Sequence, residues 1–251
     1  MKIIFLLLIV ISCTDKGSSE KNIRSQRSEQ NPVEIEIEAP EVPQIDIDQL
    51  LHGQYLAPLD PINFNVTGKI YGAFVFSRDV ESKEDEVVMD IHLNRAGANV
   101  VHVQSLKEYS RCPTLDDDEN QDGIIDIIEA EAVMGKTLVP MDGDISTQAS
   151  HDGEYPVGDQ YGNYIYSKYT EFNILMDDLR DHYSPYPEYK KLTAEEYFDI
   201  ESRSVLVQGI DPSIALPSTV RTRSPLSAHQ SLPIACGVIT KILSPPGSDN
   251  L

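Results

Sequence analysis

Val87-Val88-Met89-Asp90-Ile91-His92-Leu93 alternates apolar and polar side chains along most of its length, as a strand with one buried face does. Upstream, Phe64 to Tyr71 (FNVTGKIY) alternates, and Ala73 to Phe76 (AFVF) continues the pattern after Gly72. The polar run Arg78 to Glu86 then reads as a hairpin connection. Downstream, Ala96-Gly97-Ala98-Asn99 marks a turn, and Val100 to Leu106 (VVHVQSL) reads as the next strand. Thr137 to Pro140, Tyr164 to Tyr169, Ser204 to Gln208 and Ile234 to Ile242 add further short strands. Two stretches have helical character. Ile124 to Met134 ends at Gly135, and Phe172 to His182 carries a stripe at Phe172, Leu175, Met176 and Leu179. Short strands between long loops predict a mainly β fold, a Greek-key β-sandwich or barrel with one or two short helices.

Between these runs lies Cys112 to Glu129 (CPTLDDDENQDGIIDIIE), whose residues 118–129 fit the calcium-loop pattern D-x-[DN]-x-[DN]-G-x5-E. Asp118, Asn120 and Asp122 would supply hard oxygens, and Gly123 the sharp turn. Ile124 would give its backbone carbonyl, Asp126 would act directly or through a water, and Glu129 would close the site with both oxygens. Pro113 and the β-like stretch before it argue against an entering helix, so an exit helix from Ile125 is expected alone, with no partner loop. Calcium is therefore the expected cofactor.

Asp and Glu number 41 against 20 Lys and Arg, a net charge of −21 that repels phosphate backbones and argues against a nucleic-acid partner. Residues 1–12 (MKIIFLLLIVIS) form an apolar run too short to span a bilayer, and read as a signal sequence. The run ends in Val10-Ile11-Ser12-Cys13, which resembles the bacterial lipoprotein box. Cleavage before Cys13 and a diacylglyceryl thioether on its sulfur would anchor the chain to a membrane. Thr14, which is not Asp, implies the outer membrane in a two-membrane cell envelope. The expected organisation is a signal peptide over 1–12 and a flexible tether over 13–58. A β domain over 59–245 and a tail over 246–251 follow. With Cys13 lipidated, Cys112 and Cys236 remain as a pair in an oxidising compartment.

The run Leu232 to Ile239 (LPIACGVI) resembles the closing strand of copper/zinc superoxide dismutases, where the strand's Cys pairs with an earlier loop Cys; Cys112 would be that partner. Glu201 to Gly209 (ESRSVLVQG) resembles the family segment bearing a further copper ligand. Gly97 to Lys107 (GANVVHVQSLK) resembles the turn and strand bearing its H-x-H ligands, and His102, Gln104, Cys112 and Pro113 match the pattern of some bacterial secreted relatives. The resemblance covers about residues 60 to 245. It implies a dismutase-like scaffold, but Ser105, Lys107 and Gln208 stand where ligand histidines would be. Redox copper needs several neutral imidazoles, so copper or zinc is not expected.

Three readings follow. The first is a non-enzymatic, calcium-binding envelope lipoprotein on a dismutase-like scaffold without its copper ligands. The second is a periplasmic metalloenzyme using His102, His151 and His92. The third is a surface-displayed interaction module using the Tyr-rich span Tyr155 to Tyr197. Its protein partners are left open. The chain has no phosphate-binding glycine loop and no nucleophile elbow.

Overall fold

The computed structural model describes residues 55–79, 81–147, 154–183 and 198–242, all within the unit Glu41–Leu251. The expected signal peptide, Cys13, most of the tether, His151 and the tail lie outside the described residues. Nine strands form one antiparallel sheet: β1 (Tyr55–Pro61), β2 (Tyr71–Asp79), β3 (Glu86–Asn94), β4 (Gln104–Lys107), β5 (Thr137–Pro140), β6 (Tyr164–Glu171), β7 (Ser204–Gln208), β8 (Pro233–Val238) and β9 (Thr240–Lys241). Their order is β5-β4-β7-β8-β1-β2-β3-β6, with β9 beside β1. Strand β1 serves both halves: Tyr55–Leu59 pair with β2, and Asp60–Pro61 pair with Cys236 and Ala235 of β8. The sheet curls around that shared strand into a half-barrel. The fold is mainly β.

Alternation places the core. Val87, Met89, Ile91 and Leu93 of β3 are buried, whereas Glu86, Val88, Asp90 and His92 face outward. The inner face meets Phe74 and Phe76 of β2, Leu106 of β4 and Val205 and Val207 of β7. The helices are α1 (Phe64–Thr67), α2 (Ile127–Met134), α3 (Phe172–Tyr183) and α4 (Ala228–Ser231). Among the described residues these four α-helices, with 3-10 helices over Leu115–Asp117 and Ile200–Ser202, stand where one or two short helices were expected. The anticipated stripe of Phe172, Leu175, Met176 and Leu179 on α3 is buried in the same core.

Three other expectations change. Of the expected strand Phe64 to Tyr71 only Tyr71 is in a strand: Asn63 adopts φ 58°, turning the chain, and the Thr67 hydroxyl donates to Ile62 O and Asn63 O across the single turn of α1. Phe64 is consequently 54% exposed. Val100 to Leu106 joins the ladder only from Gln104, with Val101 making an isolated bridge to Val157. Strand β1 begins at Tyr55, inside the stretch expected to be tether.

Helix α2 starts at Ile127, not Ile124 or Ile125, because Asp126 is its cap. Asp126 Oδ1 accepts from Ile128 N and Glu129 N, while Glu129 Oε2 accepts from Asp126 N. This helix packs on the outer face of the sheet: Ile125, Ile127, Ala130 and Met134 meet Leu206 of β7 and Cys236 of β8. Both faces of β7 are therefore covered, and all five of its residues are buried. The Cys112–Cys236 disulfide, with Cα atoms 5.8 Å apart, ties the start of the acidic stretch to β8.

Candidate metal centre

A 3-10 helix over Leu115–Asp117 leads into the acidic loop, and no α-helix directly precedes it there among the described residues. Its side chains fold inward. Asp118 Oδ2 accepts from Gly123 N at 2.7 Å, Asn120 Oδ1 from Asp122 N at 2.9 Å, and Asp122 Oδ1 from Ile124 N at 2.9 Å. These local bonds let Asx side chains stand in for backbone partners at a tight turn. Gln121 (φ 58°) and Gly123 (φ 81°) are left-handed, which is where Gly is needed at the sixth loop position. At the far end, Glu129 Oε1 accepts from Glu119 N and Asn120 N, drawing the helix start onto the loop start.

Asp126 and Glu129 are buried, at 0% and 3% exposure, so their charges need a partner. That partner is Arg221. Its Nε donates to Asp126 Oδ2 at 2.7 Å, and a terminal nitrogen bonds Glu119 Oε2 at 3.1 Å. The other terminal nitrogen lies 2.9 Å from Glu129 Oε1 as an ion pair without hydrogen-bond geometry. The Arg221 backbone N–H also donates to Asp126 Oδ2 at 3.0 Å. These carboxylates, Asp126 first, push the guanidinium pKa above its ordinary value. Neighbouring residues act from the same segment. Thr219 Oγ1 donates to Asp122 Oδ2, and Arg223 Nε donates to Glu131 Oε2 of α2 at 2.7 Å.

Sequence reasoning passed over this segment, because Arg221 is 95 residues from Asp126 and belongs to no motif. The available signal was alternation. Thr219, Arg221 and Arg223 reach one way, while Val220 enters the core.

The donor set suits calcium in kind: Asp118, Asn120, Asp122, Asp126, Glu129 and the Ile124 carbonyl are all hard oxygens in the expected order. In this structure the cation on the last two carboxylates is the Arg221 guanidinium. Among the described residues no three His, Cys, Asp or Glu are grouped to hold a metal ion. Asp118, Asp122, Asp126 and Glu129 are thus not gathered about one point in this arrangement.

Of the positions where the resemblance puts copper ligands, Ser105 and Lys107 lie on the face covered by α2, and Gln208 lies against α4. Ser105 is paired with Leu206, and Lys107 with Ser204, so both share the outer face that the helix covers. Ser105 Oγ is buried without a hydrogen-bond partner. Gln208 Nε2 donates to Ser231 O. Lys107, 1% exposed, donates to Thr137 Oγ1 at 3.0 Å and lies 3.8 Å from Glu131 Oε1.

Burial lowers the Lys107 amine to about 8, against the partial support of Glu131. The folded pKa lies below the unfolded one. Folding is thus penalised in full below about pH 8, where both states are charged, and stability rises as pH climbs from about 8 toward 10.5. The penalty is about 3 kcal/mol by the pKa difference. Lys107→Met should therefore stabilise the protein at pH 7 by about 1–3 kcal/mol and flatten that alkaline rise. Glu131 keeps Arg223, so no carboxylate is orphaned. Urea melts at pH 7 and pH 9.5 check this, and a destabilised Lys107→Met protein at pH 7 would contradict it.

His151 lies outside the described residues, and the other two histidines of the metalloenzyme reading, His92 and His102, do not converge. His102 is buried, stacked on Tyr164 with centroids 5.2 Å apart, and its Nδ1 meets Gln208 O at 3.2 Å. Burial holds its pKa below the ordinary value. Tyr164 faces the core from β6, whereas His92 is paired with Ile165 on the opposite face. His92 and His102 thus lie on different sides of the sheet. Of the Tyr-rich span, Tyr161 and Tyr169 are exposed while Tyr164 and Tyr166 are buried, with the Tyr166 hydroxyl donating to Asp142 O.

The chain matches no known protein family, and no curated protein is similar to it at a significant level.

Proposed function

We propose that the chain is a non-enzymatic envelope lipoprotein whose dismutase-like β domain is held together by calcium in the 118–129 loop. The observation that carries this reading is the drawing-in of Asp126 and Glu129, buried against a cation at the mouth of an all-oxygen loop. The scaffold part of the reading is supported by the strand order β5-β4-β7-β8-β1-β2-β3-β6, whose neighbours β3–β6, β4–β7 and β8–β1 are joined by long connections of the kind a Greek key uses. The Cys112–Cys236 bridge is where the resemblance puts one. Ser105, Lys107 and Gln208 act as packing and hydrogen-bonding residues beneath or beside helices, a setting that offers copper no imidazole. The lipid anchor rests on Val10 to Cys13 alone, and the outer membrane on Thr14.

Such a calcium site, lacking a paired loop, fits an affinity on the order of 10⁻⁴ to 10⁻³ M, that of extracellular modules. Metal analysis of the protein after exposure to calcium and copper together tests the reading. Calcium near one per chain without stoichiometric copper is expected. Copper bound in place of calcium would overturn it in favour of a metalloenzyme.

A further inference from the structure

The geometry points to Arg221 as an internal counter-ion that competes with calcium for Asp126 and Glu129, so that calcium binding unlatches the segment around Arg221 from the acidic loop. This inference rests on the calcium reading above and concerns how that site is regulated. Three observations carry it.

First, Arg221 occupies the lone pairs that the closing end of the loop would offer a metal. Asp126 Oδ1 is committed to the helix cap, and Oδ2 takes both the Arg221 backbone N–H and Nε. Glu129 Oε2 is committed to Asp126 N, and Oε1 faces both the loop amides and the guanidinium. A divalent ion held by both Glu129 oxygens and by Asp126 has no room beside a guanidinium on the same atoms. Like charges a few ångströms apart in a partly buried site also repel strongly.

Second, the hold is distributed over one extended segment. Thr219 Oγ1 sits on Asp122, a ligand position at the opening end, and Asn120 Nδ2 donates to Thr219 O at 3.4 Å. Displacing Arg221 therefore loosens contacts at both ends of the loop together. Third, the segment has somewhere to go. Arg221 is 37% exposed at its side chain, and Ser218, Thr219 and Thr222–Pro225 are at the surface. Val220 anchors the segment in the core, so the movement required is of the Arg221 side chain and its amide contact. Releasing the guanidinium returns it to water and does not strand it in the core. Arg223 stays on Glu131, outside the loop, and would act as the hinge side of the latch.

Calcium titration by calorimetry on the whole chain tests this, using the wild type, Arg221→Gln, Arg221→Lys and the control Arg111→Gln. Arg111 pairs with Asp117, just outside the loop, and removes the same charge without touching a closing carboxylate. Arg221→Gln is expected to bind calcium at least roughly tenfold tighter than wild type, and Arg111→Gln within about twofold of it. Arg221→Lys, with a point charge in place of the fork, is expected to fall between.

Hydrogen exchange of the wild type supplies a readout independent of any variant: protection of the Arg221 amide should be lost when calcium is added. Equal affinities for wild type and Arg221→Gln, or equal tightening by Arg111→Gln, would overturn the latch while leaving the calcium reading standing. So would retained protection of the Arg221 amide in the calcium-bound protein. No calcium uptake by wild type or by either Arg221 variant would overturn both.

Discussion

Replacing both Cys112 and Cys236 with serine is expected to destabilise the folded domain by about 4 kcal/mol. The bridge closes a separation of 124 residues, and on the chain-entropy account a loop of that size restricts the unfolded state by about 4–5 kcal/mol. Cys236 is also a packing residue, 2% exposed and in contact with the cluster under α2, so its loss does not end with the covalent bond. Denaturant unfolding of the oxidised protein and the double-serine variant measures the difference, after checking that the m value is unchanged. A loss below about 1 kcal/mol would show that the acidic stretch is held to β8 by other contacts alone.

The strongest of those contacts is Asn63, and Asn63→Ala is expected to cost about 3 kcal/mol. The Asn63 amide donates to Ile125 O at 2.8 Å and to Pro233 O at 3.0 Å, and its oxygen accepts from Ile125 N at 2.7 Å. One side chain thus satisfies both backbone groups of Ile125, at the end of the calcium-type loop, and fastens them to the first residue of β8. Alanine would leave these groups buried and unpaired, at about 1 kcal/mol or more each, and would place a Cβ residue without local hydrogen bonding at φ 58°. Thermal melts of Asn63→Ala and Asn63→Gly separate the two effects, since glycine removes the bonds but not the backbone preference. If both variants melt with the wild type, Asn63 is not the pin described.

Asn63 and Cys112 act on the same target from opposite ends of the acidic stretch. The sequence showed one of them. A cysteine pair leaves few choices once the oxidising context is read, whereas Asn63 sits before Phe64-Asn65-Val66-Thr67-Gly68-Lys69-Ile70-Tyr71, whose alternation reads as a strand. A left-handed asparagine overrides that pattern by turning the chain into α1, and nothing in a period-two count records it. The strands β3, β5, β6 and β7 were legible because each buries one or both faces continuously.

Strand β1 was not, because Pro58 and Pro61 disguise it among tether residues. Pro58 is tolerated because β1 changes partners there. Leu56 still pairs with Thr240 of β9, Asp60 already pairs with Cys236 of β8, and the missing N–H falls between the two.

The candidate site divides in the same way. Asp118, Asn120, Asp122, Gly123, Asp126 and Glu129 are local in sequence, and their fixed spacing is enough to mark the loop. The capping role of Asp126 and Glu129 was hidden, because the residues that close a calcium loop are also the first turn of the helix that leaves it. Arg221 was hidden by distance along the chain. Lys107, set by the resemblance at a copper-ligand position, is in the fold a buried amine hydrogen-bonded to Thr137 beneath α2.

The acidic stretch is thus fixed to β8 at Cys236 and Pro233 and neutralised at its closing end by Arg221. The proposed role of calcium is to take over that neutralisation and lock the loop against the sheet. Equilibrium dialysis of the folded wild-type chain against calcium at about 1–10 mM, the range set by extracellular-class sites, tests this most directly. The expected result is saturable uptake approaching one calcium per chain, abolished in Asp118→Asn/Glu129→Gln. No uptake by the folded wild type, or equal uptake by that double variant, would contradict the account.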